Sequence, residues 1–153
     1  MKRLMSMSPR VAVALFILLD VLTVGAGMGV PFFTILLGFP VGWFAARRRL
    51  SLPLPGALPA CFHVALRTSA FSLIVLGVIW LPWLPTAWGP EAELAKTGVP
   101  LILYEPRASF VGWMTLMLVI SPLAQVLTTL AGSYVTLMRG DGGVASDRTQ
   151  HTS

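Results

Sequence analysis

Between Arg10 and Arg47 the sequence holds a single ionisable side chain, Asp20. The enclosed apolar stretch, residues 11–46, is about 36 residues long. One helix across a hydrocarbon core of ~30 Å needs only about 20. Its middle, Gly25-Ala26-Gly27-Met28-Gly29-Val30-Pro31, gathers the residues that form tight turns. The stretch therefore divides into a predicted helix 1 over 11–27 and a predicted helix 2 over 30–46. Lipid leaves no backbone group unsatisfied, so such a chain is confined to closely packed helices.

The rest of the chain follows the same rule. Only 11% of the 153 residues are charged and 56% are hydrophobic, where a soluble domain carries roughly 25% charged residues. Pro53, Pro55 and Pro59 predict an extended connector over 50–63. Helix 3 is predicted over 65–84 and helix 4 over 109–137, with Pro122 kinking the latter. An outer loop, 85–107, separates them. The predicted fold is an all-α membrane protein, four transmembrane helices as two antiparallel hairpins in one small bundle over 1–137. The polar, Gly-rich tail 138–153 is predicted to be disordered.

Charge placement predicts the orientation. Lys2, Arg3, Arg10, Arg47, Arg48, Arg49, Arg67, Arg139 and Arg148 fall on one side of these spans and only Lys96 and Arg107 on the other. Basic residues accumulate in cytoplasmic loops, so both termini are expected to be cytoplasmic. Trp80, Trp83, Trp88, Tyr104 and Trp113 then lie at the outer interface, with Trp43 and Tyr134 at the inner one. The start, Met1-Lys2-Arg3, imitates a signal peptide, but the apolar run continues through Asp20 without an A-x-A-like site, so retention is expected. Arginine-rich, asparagine-free composition suggests a GC-rich microbial genome, hence a prokaryotic cell membrane.

Several functions are excluded. A lone cysteine, Cys61, permits no intrachain disulfide, no CxxC redox pair and no cysteine-built metal site. Cys61 and His63, even joined by His151, do not complete a zinc site. No HExxH, P-loop, paired intramembrane carboxylates or Ser-His-Asp set can be assembled. No metal, cofactor or nucleic acid is expected, and the protein is expected not to be an enzyme.

Four features remain. Asp20 is a proton or ion site candidate, since ionisable residues at membrane depth are costly and mark function. Thr23 shares its face of helix 1. Helix 4 offers Ser121, Gln125, Thr128 or Thr129, Gly132 and Thr136 at spacings of three and four. At about 1.5 Å per residue, Asp20 lies ~15 Å above Arg10 and Gln125 ~18 Å above Leu137, so Asp20 is expected to be hydrogen-bonded by Gln125, Thr128 or Thr129. The alternative is a polar clamp between helices, worth ~0.6 kcal/mol on average in membrane bundles. Thr34, Gly38, Gly42 and Ala46, four residues apart, form a ridge of small side chains that lets another helix approach closely. Packing within the chain is the expected use, with self-association the other. Glu105 and Arg107 in the outer loop are candidates for a small polar ligand or a lipid headgroup. Arg47, Arg48 and Arg49 are candidates for anionic lipid.

The first expectation is a non-enzymatic membrane protein, self-associating or an accessory subunit of a larger complex. In helix number and in the acidic residue of its first helix the chain resembles the small multidrug-resistance exporters. That resemblance implies an oligomeric, proton-coupled transporter using Asp20. The one-sided charge and the long outer loop depart from the family's pattern. A lipid-modifying enzyme using Glu105, Arg107 or His63 is the third alternative.

Overall fold

The computed structural model describes residues 7–26, 32–90, 94–99 and 104–150. All regular structure there is helical, in four rods, with no strand among the described residues. The rods are α1 (Pro9–Ala26), α2 (Phe32–Arg47), α3 (Leu54–Trp80) and a last rod built of α4 (Pro106–Thr115), a π-helical turn (Leu116–Ile120) and α5 (Ser121–Gln150). A 3₁₀ segment, Leu81–Trp88, continues α3, and a short 3₁₀ turn, Ala95–Thr97, lies in the outer loop. Two rods, Leu54–Trp88 and Pro106–Arg139, are long and apolar enough to cross a membrane, with mean hydropathies of 2.0 and 1.8. The other two are shorter, 18 and 16 residues. Residues 27–31 of the predicted turn lie outside the described residues, as do 91–93 and 100–103 of the outer loop.

Local chemistry explains the helix starts. Ser8 precedes α1, and its Oγ accepts a hydrogen bond from Val11 N at 3.3 Å. Pro9 follows as the first helical residue, where its missing N–H costs nothing.

α3 corrects the sequence expectation. The predicted connector is helix from Leu54 onward, through Pro55 and Pro59. Pro55 sits in the first turn, where a backbone N–H would have no intrahelical partner, so lacking one costs nothing. Gly56 N and Ala57 N both donate to Pro53 O, at 2.9 and 3.0 Å. Pro59 forfeits one internal bond. Against that loss, Ala57 and Cys61 are fully buried beside Ala45, Ala46 and Leu137 at one end of the bundle. At about 1.5 Å per residue the 27 residues of α3 span roughly 40 Å. Cys61 reports on this directly. Its thiol should react with a polar maleimide only as the bundle unfolds. Rapid labelling of the native protein would restore the extended connector.

Pro122 acts differently from a simple kink point. It lacks an N–H, and its ring crowds the carbonyl of Leu118 one turn earlier. The helix widens just before it: Ser121 N donates to Leu116 O, five residues back, within the π-helical turn. Beyond Pro122 the helix runs to Gln150, so residues 138–150 of the predicted tail are helical. No proline interrupts it, and each added residue gains one backbone bond.

The outer loop folds back onto the bundle. Leu94 and Val99 are buried with Val24, Leu76, Trp80, Phe110, Met114 and Met117. Trp80 and Trp113 meet edge to face, centroids 6.2 Å apart. Gly98, with φ 71°, turns the chain in the left-handed region that glycine tolerates, directly before Val99 enters this cluster.

Candidate polar site

The site is assembled from one face of each helix. On α2, Thr34, Gly38, Gly42 and Ala46 are all buried, and this ridge lies against α5. A Cβ on Gly38 would stand 2.7 Å from Gln125 O, and one on Gly42 would stand 1.9 Å from Thr129 O. The facing glycine, Gly132, is as close to Phe39 O, 2.3 Å from its own would-be Cβ. Residue numbers rise together along this seam, so α2 and α5 run parallel, backbone against backbone. Such contact frees side-chain hydroxyls to reach the partner's carbonyls. Thr128 Oγ1 donates to Ile35 O at 2.7 Å and Ser133 Oγ to Gly42 O at 3.0 Å. Thr129 Oγ1 turns back to Gln125 O at 2.7 Å.

α3 supplies the residues that ties Asp20 into the interior. Ser72 Oγ donates to Asp20 Oδ1 at 2.6 Å. One turn earlier Ser69 Oγ donates to Pro122 O at 2.7 Å. Two serines on one face of α3 thus reach α1 on one side and α5 on the other. Asp20, Ser72, Ser121, Thr129 and Ser133 have no exposed surface, and Thr34 and Gln125 have 1%.

This corrects the expected partner of Asp20, which is Ser72 rather than Gln125, Thr128 or Thr129. α1 packs on α2 and α3, and the polar stripe of α5 is taken up by the glycine ridge of α2. Equal height in the bundle did not make the two residues neighbours. Thr23, the other candidate on α1, donates to Asp20 O at 2.9 Å, a bond within its own helix. Ser69 and Ser72 were missed at the sequence level. Their signal was present: Ala57, Cys61, Ala65, Ser69, Ser72 and Leu76 recur at spacings of three and four, all buried.

Hydrogen-bonding capacity is left over in this layer. Asp20 Oδ2, Thr34 Oγ1, Ser121 Oγ and both amide atoms of Gln125 are buried with no hydrogen-bond partner among the described residues. Thr34 lies one turn from Gly38 on the ridge facing α5, and Ser121 one turn from Gln125. The open atoms of Thr34, Ser121 and Gln125 therefore border the α2–α5 seam, and that of Asp20 lies on α1. Chemically, the layer offers a carboxyl, hydroxyls and an amide, a set suited to a proton, water or a small cation.

The remaining candidates lie apart. Glu105 and Arg107 are exposed. Arg107 Nη2 donates to Gly89 O at 3.4 Å, and no ion pair joins it to Glu105. Tyr104 is fully exposed, and residues 100–103 lie outside the described residues. Cys61 is buried while His63 is exposed, and no metal-ligand cluster occurs among the described residues. At the C-terminal end of α2, the Arg47 guanidinium lies over Trp43, 4.6 Å from the ring centroid, and that of Arg48 over Phe44 at 4.5 Å. No protein-family description matches the chain, and no curated protein or solved structure matches it either.

Proposed function

We propose that all four rods cross the bilayer of a prokaryotic cell membrane, with both termini cytoplasmic, and that the protein is a non-enzymatic integral membrane component. The observation that carries this is the distribution of polarity. Asp20, Gln125 and a set of serines and threonines face inward, while the outward faces are apolar. On α1 alone, Val11, Val13, Leu18 and Leu22 are each more than half exposed. Soluble monomers rarely show contiguous apolar patches beyond a few hundred Å².

Within that class, an accessory subunit or a self-associating protein fits best. The glycine ridge of α2 is already covered by α5, so a partner must use another face. α1 is the candidate, being packed along one side only. Purification at native level in mild detergent, with mass spectrometry of what co-elutes, should give a stoichiometric partner or a defined homo-oligomer. A monodisperse monomer with no partner would reject the association reading. A reporter fused after Arg49 that reads as external would reject the topology.

A second reading is favoured by one observation, the buried and unpartnered Oδ2 of Asp20. On that reading the protein transports protons or a small cation as an oligomer. Flux into liposomes that disappears in Asp20→Asn while the fold survives is its expected signature. Unchanged flux in that variant would leave Asp20 a clamp.

A further inference from the structure

We infer that the cleft between α1, α2 and α3 holds one acyl chain of an anionic phospholipid, whose phosphate is held by Arg48 and Arg49. The inference rests on the membrane reading above. The cleft encloses about 410 Å³, within the range of roughly 300–1,000 Å³ typical of ligand pockets. Its walls are Phe16 and Leu19 from α1, Leu37 and Val41 from α2, and Val64 and Thr68 from α3. Thr68 directs its one O–H back into its own helix, to Val64 O and Ala65 O. The cavity is thus an apolar slot.

Its inner mouth is the opposite. Arg48 and Arg49 line it together with Met7 and Pro9, where α1 begins. Arg48 donates one N–H to Met7 O, and Arg49 donates one to Ala45 O at 2.8 Å. A guanidinium has five N–H donors, so each retains capacity for the paired bonds that phosphate accepts. No acidic side chain lines the cavity. The α1 N-terminus adds its partial positive charge at the same end.

Shape and charge select the occupant. A partner helix would bring an apolar face to the walls but no phosphate to the arginines. A free phosphate would use the arginines and leave the slot unfilled. An anionic phospholipid satisfies both ends. Leu15 and Leu19, which line the cleft, are about 40% exposed. The slot therefore opens toward the surface where lipid would lie.

The test is lipid retention by native mass spectrometry, using protein extracted from vesicles of phosphatidylcholine doped with phosphatidylglycerol. The wild-type protein should keep one phosphatidylglycerol in preference to phosphatidylcholine. Arg48→Gln with Arg49→Gln should lower retention roughly ten-fold or more, the effect of two basic groups acting on one anionic headgroup. Val41→Trp, which fills the slot and leaves both arginines, should lose the lipid as well. Arg67→Gln should keep it, and glycerol phosphate should not displace it. Cys61 protection identifies any variant that has merely unfolded. Equal retention of the two lipids, or retention unchanged in both variants, would overturn the lipid site. Displacement by glycerol phosphate would overturn it in favour of a plain phosphate site. Release of the protein from membranes by carbonate, without detergent, would instead overturn the membrane reading.

Discussion

Gly42→Ala is expected to destabilise the bundle by about 1–3 kcal/mol or more, the usual range when atoms are forced into a filled interior. The new methyl carbon would stand 1.9 Å from Thr129 O and 2.9 Å from Ser133 N. Both are backbone atoms, so no side chain can swing aside, and α2 and α5 must separate. Separation also lengthens the Ser133 Oγ to Gly42 O bond and the Thr128 Oγ1 to Ile35 O bond. Gly132→Ala should behave alike, since its methyl would meet Phe39 O at 2.3 Å. The double variant should cost less than the sum, because the first methyl already opens the seam that the second needs. Gly112→Ala is the control. Nothing lies within 4 Å of its would-be Cβ, and replacing a helical glycine in open space should gain roughly 0.5–1 kcal/mol. Unfolding in detergent, followed by Cys61 labelling, measures all four. A Gly42→Ala protein as stable as the control would remove the close α2–α5 seam from this structure.

The second large effect is expected at Ser72. Its hydroxyl donates the one hydrogen bond that the Asp20 carboxyl receives among the described residues. Ser72→Ala leaves that buried group without a partner, which costs about 1–3 kcal/mol. Asp20→Asn keeps an oxygen for Ser72 to bond and should stay within ~0.6 kcal/mol of the wild type, the mean worth of such contacts in membranes. The informative comparison is the double variant, Asp20→Val with Ser72→Ala. Removing both partners of a buried hydrogen bond is close to neutral, whereas removing one is not. The double should therefore be more stable than Ser72→Ala alone. If it proves less stable, Asp20 is held by something other than Ser72. These are stability readings, and they leave the transport assay of Asp20→Asn independent.

Much of the fold was legible because apolar length and charge placement act on whole segments. The all-helical class, the number of rods and the approximate limits of α1 and α2 follow from apolar runs and from the glycine cluster, with Pro31, that divides the first of them. The ridge on α2 was legible as well, since its four-residue period is a property of one helix. What was lost depends on relations between helices. The start of α3 turned on whether burial of Ala57 and Cys61 could hold a helix through Pro59, and that burial requires α2 and α5 to be present. The partner of Asp20 turned on lateral order, about which height along the helix says nothing. Likewise, Leu94 and Val99 belong to the core only because the outer loop closes over Trp80 and Phe110. No local pattern distinguishes them from exposed loop residues.

The bond between Asp20 and Ser72 joins residues 52 apart in the chain, and that between Ser133 and Gly42 residues 91 apart. At a synthesis rate of about 5–20 residues per second, Asp20 emerges some 3–10 s before the hydroxyl that will satisfy it. The glycine face of α2 waits longer still, until the last rod is made. On the membrane reading, the first hairpin thus spends its early life with a bare carboxyl and an uncovered groove. Whatever machinery inserts this protein must shelter both until the final helix arrives, and truncation before α5 should yield a fragment that quality-control proteases remove.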